Sequence, residues 1–324
     1  MNATSPINPV IHAMNPFRMM LTIAGWRRFA LAMLLALPLA PALAAQQTFA
    51  TPEAAVEALA TALKAGDDAS LTAIFGDKYP NLIGSGDRAQ DAVVRAKAAE
   101  QLATYRLLDE RGADRRVLLM GAEAWPLPIP LVREGKAWRF ASEEGADEML
   151  NRRIGANERN AIHVLSAYLD AQREYASVDR DGDGVRQYAM KLESAPGKHD
   201  GLYWPADAAK GEEESPFGPL IAESSPYRAG HKQGDPYRGY HFRILTRQGK
   251  SAPGGAYSYI INGRMIAGFA MVAYPDAYGA SGVMTFIINH NGKVYEKNLG
   301  KNSASVGAKM TSFDPAKGWK ESAL

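Results

Sequence analysis

Two Asn-Gly dipeptides in the last third of the chain, Asn262-Gly263 and Asn291-Gly292, each stand between β-rich runs. Both residues accept positive φ at the centre of a tight hairpin turn, which makes Asn-Gly the strongest short-range hairpin signal. The first joins Ser258–Ile261 to Arg264–Ala273, the second joins Met284–Asn289 to Lys293–Lys297, and Tyr240–Thr246 alternates as a further strand. An antiparallel sheet follows, and one of its faces needs cover. The cover expected is a helix capped by Asn157 and ending near Val178, in which Ile162, Leu165, Leu169 and Gln172 follow one face and Tyr168 and Tyr175 an adjacent one.

The first half has a different rhythm. Thr51 is a good N-cap, Pro52 takes the first helical position, and Ala55, Val56, Leu59 and Leu63 recur at helical spacing until Gly66. Asp67 or Asp68 caps a shorter helix with Leu71, Ile74 and Phe75 on its apolar face, ended by Gly76 and Pro80. Val93–Leu108 reads as a third helix, Val117–Met120 and Leu127–Val132 as strands, and Glu134-Gly135-Lys136 as a turn returning through Ala137–Phe140. Paired helices followed by curved strands resemble the cone-shaped α+β fold of nuclear-transport-factor-2-like domains, over about Thr51–Leu150. Glu143–Ile154 is charged and poor in bulky apolar residues, which places a boundary there. The expectation is an α+β protein of two domains, residues 45–150 and 151–324, behind a leader at 1–44.

That leader is the one long apolar run, Phe29–Ala44, preceded by Arg18, Arg27 and Arg28 and ending in Ala42-Leu43-Ala44. Small residues at the two positions a signal peptidase reads make it a secretory signal, cut after about Ala44. Pro38 and Pro41 interrupt it short of the ~20 apolar residues of a membrane anchor, so no stable span is expected after cleavage and the mature protein is expected to be periplasmic or secreted. Removing residues 1–44 takes away three arginines and no acidic side chain, leaving 34 basic against 35 acidic residues. A balance that even carries no footprint of nucleic-acid binding. Cysteine is absent, which excludes disulfide staples, a lipoprotein anchor, thiol nucleophiles and thiolate zinc sites.

Several segments carry a family likeness. Ala167-Tyr168-Leu169-Asp170-Ala171-Gln172-Arg173-Glu174-Tyr175-Ala176, Pro196-Gly197-Lys198-His199-Asp200-Gly201-Leu202-Tyr203-Trp204, Ala252-Pro253-Gly254-Gly255-Ala256 and Ser281-Gly282-Val283-Met284-Thr285-Phe286 resemble the exported bacterial family known as domain of unknown function 2950. The likeness covers essentially the whole mature chain and implies no activity. The C-terminal half is also distantly similar to pilin-like soluble heads, through its Ala-Gln-x-x-Tyr-Ala helix end, Gly239-Tyr240-His241-Phe242, and the Ala273-Tyr274-Pro275 step. Those proteins begin with a membrane helix, whereas this helix follows a complete domain and carries Arg159, Asp170, Arg173 and Glu174, so pilus assembly is not implied.

Chemistry is sparse. Asp179-Arg180-Asp181-Gly182-Asp183-Gly184 sets carboxylates at positions 1, 3 and 5 of a calcium-type loop, with glycine at 6 and the Val185 carbonyl at 7. Met190 stands where an EF-hand has glutamate, so a calcium ion held by Asp179, Asp181, Asp183 and Val185 needs a ligand from elsewhere, such as Glu193. The other reading is a solvated turn balanced by Arg180 and Arg186. His163, His199, His231, His241 and His290 form no metal-binding pair of the H-E-x-x-H kind. Gly279-Ala280-Ser281-Gly282-Val283 falls short of a nucleophile elbow, and no phosphate-binding or dinucleotide motif is present. Ser281 with His199 or His290 and Asp200 assembles only if the fold brings them together.

Aromatic side chains are concentrated after residue 200. His199, Tyr203, Trp204, Tyr240 and Tyr274 are the ligand-binding candidates, because tyrosine and tryptophan pair contact area with a polar tip. Tyr227 belongs to the same concentration. The expected function is a non-catalytic envelope binding or scaffold module for a protein, peptide or glycan. A cell-envelope hydrolase with its site in the C-terminal domain is the alternative.

Overall fold

The computed structural model describes residues 46–223 and 234–322. The expected leader at 1–44 lies outside the described residues, as do Tyr227 and His231. Among the described residues no helix is long and apolar enough to cross a membrane.

The chain opens as its caps dictate. Helix α1 (Pro52–Ala65) starts where Thr51 Oγ1 accepts the Ala54 amide at 3.1 Å, a cap worth about 1 kcal/mol, and stops where Gly66 turns left-handed at φ 64°. Helix α2 (Asp68–Phe75) starts on Asp67, which accepts from Ala69 and Ser70. Helix α3 spans Arg88–Thr104 and is capped by Asp87, so the helix expected over Val93–Leu108 begins earlier and ends earlier. Leu107 and Leu108 belong instead to β1 (Arg106–Glu110), held in five-residue register by β2 (Arg115–Met120). Ladder pairing there outweighs helical spacing.

Strands β3 (Trp125–Pro126), β4 (Leu131–Glu134) and β5 (Ala137–Phe140) complete an antiparallel sheet of order β1-β2-β4-β5, with β3 on β2. In the run expected as a strand from Leu127, Leu127 donates to Leu118 O at 2.8 Å, but regular ladder pairing resumes only at Leu131, because Pro128 and Pro130 lack ladder donors. The β4–β5 hairpin turns at Gly135, as read from sequence. Val56, Leu59, Ile74, Leu118, Ile129, Leu131 and Phe140 form the first core.

Helix α4 then runs unbroken from Ser142 to Tyr175. The charged stretch taken as a boundary is its first half, and Asn157 is an interior residue, not a cap. Met149 packs against the first core, while Ala161, Leu165, Tyr168 and Tyr175 pack into the second. The two cores therefore share one helix within one compact unit.

After α4 the chain is irregular, apart from one 3₁₀ turn at Ala208–Lys210, up to α5 (Gly218–Glu223). The second sheet has the order β15-β13-β12-β11-β6. Its members are β6 (Tyr240–Leu245), β11 (Ala270–Pro275), β12 (Met284–Asn289), β13 (Val294–Asn298) and β15 (Lys320–Glu321). Small pairings flank it, β14 (Ser312–Phe313) with β7 (Arg247–Gln248) and β8 (Tyr257–Ser258), and β9 (Ile260–Ile261) with β10 (Arg264–Met265). The first Asn-Gly turn forms as expected, with Asn262 at φ 50° and Gly263 at φ 81° between paired β9 and β10. The strand returning from it is divided: Gly268, at φ 144°, separates β10 from β11. The second turn is longer than two residues, because Ile288 and Val294 are the last paired positions and Gly292 donates to Asn289 O at 2.8 Å. A last helix, α6 (Ser303–Lys309), packs on β11.

Candidate functional site

Three of the sequence motifs are structural anchors. In the α4 motif, Gln172 is fully buried and exchanges two 2.8 Å hydrogen bonds with the backbone of Ala189, standing in for a strand partner. Its amide also donates to the Tyr168 hydroxyl, which donates to Ala270 O. Burial pushes the Tyr168 phenol far up its titration range. These bonds tie the loop after α4 to the sheet.

The segment around His199 closes that loop. The Arg180 guanidinium lies 4.8 Å from the Tyr175 ring centre and 4.9 Å from that of Trp204, and donates to Glu213. His199 stacks on Trp204 at 4.2 Å and 13°, and its carbonyl accepts the Tyr175 hydroxyl at 3.0 Å. Trp204 is 4% exposed and donates to Glu213 O, so this ligand-binding candidate is a core residue. Tyr203 is half-buried and pairs with Glu193 across an isolated bridge.

The Asp179 loop has its carboxylates engaged one by one. Asp179 accepts the amides of Gly182 at 3.0 Å and Gly184 at 2.7 Å, which hold its carboxyl below the usual range. Asp181 accepts from Gln187, and Asp183 accepts from Arg264 and the Val185 amide. Among the described residues no three carboxylate or imidazole groups are arranged to hold an ion.

Ser281-Gly282-Val283-Met284 is clamped from α4. Asn157 Nδ2 donates to Ser281 O at 2.9 Å, and Glu158 Oε1 accepts the amides of Val283 and Met284, both at 2.9 Å. Tyr240, fully buried, donates its hydroxyl to Met284 O, and Gly282 leaves room for that ring. Tyr240 thus packs in the core as well. The Ser281 hydroxyl is buried against the backbone of Ala277. Asp200 is bound to Lys191 and the Ala195 amide. His290 borders Tyr259 and Phe269. The hydrolase grouping thus has its members in separate networks, and no hydrogen bond among the described residues joins them.

A different pair meets at the edge of the second sheet. Strands β6 and β11 set His241 directly opposite Tyr274, and the two rings stack at 5.4 Å and 24°. Pro275 ends the strand, and Asp276 follows, its amide on Gly239 O and its carboxylate 2.7 Å from His241 Nε2. The two side chains are 24% and 37% exposed, partly open to solvent yet fixed in orientation. Behind them Gly239, at φ 76°, donates to Asp87 at the start of α3. A side chain there would meet Asn157 Nδ2 at 2.7 Å, so the glycine serves both the turn and the close approach.

Of the sequence candidates, Tyr274 alone falls in this patch. His241 stands in the sequence only among the histidines that form no metal-binding pair. The signal for the rest was Gly239-Tyr240-His241-Phe242 beside Ala273-Tyr274-Pro275, since pairing those two strands sets His241 against Tyr274 and brings Asp276 within reach.

By its helices and antiparallel sheets the chain is a mixed α+β protein. The chain belongs to the family described as protein of unknown function (DUF2950), whose model matches residues 46–322. No curated protein and no solved structure matches it.

Proposed function

We propose that this protein is an exported, non-catalytic binding module of the cell envelope, with its contact surface at His241, Tyr274 and Asp276. The observation that carries the reading is the half-exposed His241–Asp276 pair at 2.7 Å, stacked on Tyr274. A fixed imidazole, a carboxylate and a partly buried phenol side by side suit a peptide or a glycan, which offer hydroxyls and amides together. In this reading the first core is a nuclear-transport-factor-2-like support and the second a pilin-like head that presents the patch. The leader is cut after about Ala44.

The hydrolase alternative rests on the same pair, since a carboxylate that orients a histidine is half of a base-activated nucleophile. Among the described residues no hydroxyl hydrogen-bonds to His241, which favours binding. The test is to incubate the purified protein with envelope peptides and glycan fragments, measuring heat of binding and recovering the fragments by mass spectrometry. Binding weakened by Tyr274→Ala, with fragments recovered intact, supports the module; cleaved fragments support the hydrolase.

A further inference from the structure

We propose that β1 is a self-association edge, through which two copies of this chain pair antiparallel to make one continuous sheet. The two edges of the first sheet are treated differently. Along β5, Phe49 exchanges backbone hydrogen bonds with Trp138 at 2.7 and 2.8 Å, closing that side. Along β1, among the described residues, no strand lies on the side away from β2. An uncovered edge is a template for another strand unless its side chains forbid pairing.

The side chains of β1 favour one partner, a second copy of themselves. The strand reads Arg106-Leu107-Leu108-Asp109-Glu110, positive at its start and negative at its end. In an antiparallel pair centred on Leu108, Arg106 stands opposite the partner's Glu110, and the reverse pair forms at the other end. Leu108 then faces the partner's Leu108. Opposite charges and apolar pairs directly across strands stabilise, and like charges destabilise, so the order of charges specifies this direction and register. A two-fold axis through the central pair closes the assembly at two copies.

The neighbouring surface agrees. Leu107 is 48% and Tyr105 42% exposed, large apolar groups left beside a free edge. The same register carries the partner's Arg111 to Tyr105, at a groove of about 690 Å³ that Glu100 also lines. Arg106 and Glu110 already pair with Glu57 at 3.0 Å and Arg116 at 2.9 Å within the chain. Both are surface pairs, which hold little energy, and each head keeps further donors or acceptors for a cross-strand contact.

Sedimentation of the purified protein up to about 100 μM, where a micromolar association is populated, tests the proposal together with charge exchange. The expected result is a dimer that Glu110→Arg converts to monomer and that Arg106→Glu combined with Glu110→Arg restores. Register is read independently, because the chain contains no cysteine. Directly opposed residues have Cα atoms about 4.5–5.5 Å apart, within disulfide range. Leu108→Cys is therefore expected to crosslink to its own copy on oxidation, and Leu107→Cys is not. A monomer at every concentration, a dimer indifferent to Glu110→Arg in folded protein, or equal crosslinking at 107 and 108 overturns the proposal. If Glu110→Arg fails to fold by circular dichroism, the cysteine pair decides.

Discussion

Asn157 and Ser281 are 124 residues apart in sequence and joined by a 2.9 Å hydrogen bond from the asparagine amide to the serine carbonyl. The other end of the same side chain accepts from Gln90 at 2.8 Å. One buried asparagine on α4 thereby links α3 to the β11–β12 loop. Its truncation leaves a carbonyl and an amide without partners, each costing about 1–3 kcal/mol. Asn157→Ala is expected to lower unfolding free energy by about 3 kcal/mol in urea titration. Gln90→Ala in that background should add much less than it does alone, as partners in one network do.

Arg180 is 6% exposed at its side chain and lies against two aromatic rings. Cation–π contacts in a desolvated site reach about 2 kcal/mol, and the planar guanidinium serves both rings in a way an ammonium does not. Arg180→Ala is expected to cost about 2–3 kcal/mol and to expose residues 179–217 to limited proteolysis. Arg180→Lys should recover less than half of the loss, measured by thermal melting and cleavage rate.

Acid sensitivity is expected at His290. Burial holds its folded pKa below the ordinary 6.5, and its Nδ1 is buried with no hydrogen-bond partner among the described residues, facing Gly268. The unfolded chain takes up the proton first, so the stability tied to neutral His290 is complete above pH 6.5 and is lost as pH falls below it. In melts between pH 7.5 and 5, His290→Gln should flatten the slope. An unchanged slope would remove this assignment.

Calcium provides a further check on the Asp179 loop. Asp181 and Asp183 are bound to Gln187 and Arg264, and these donors would have to leave before an ion entered. Excess calcium is expected to leave the melting temperature unchanged, whereas Arg264→Ala lowers it. A ligand at ~100 times its dissociation constant stabilises by about 2.7 kcal/mol, so a rise in melting temperature that Asp181→Ala abolishes would establish the ion site.

Local signals were readable wherever the physics is local. Thr51, Asp67, Gly66 and Gly135 announce their caps and turns, and Asn262-Gly263 its hairpin. Long-range contacts were not. Asn157 has the composition of a cap, and the Ser281 carbonyl, brought in by β12, together with the Gln90 amide on α3 explains its interior place. Leu107 and Leu108 continue a helical spacing that the β2 ladder overrides. Trp204 and Tyr240 look like recognition residues in sequence, because tyrosine and tryptophan serve cores and surfaces alike; Arg180 over one and Met284 O on the other decide for the core. His241 and Asp276 lie 35 residues apart, and no spacing rule joins them before β6 and β11 pair.

The proposed binding surface is His241, Tyr274 and Asp276. The most direct measurement is the NMR spectrum of the histidine ring protons during titration with envelope peptide and glycan fragments. The His241 resonances are expected to move saturably while those of His163 on α4 stay, and Asp276→Asn is expected to weaken the response. Saturable binding that leaves His241 unmoved and shifts His199 instead would contradict it.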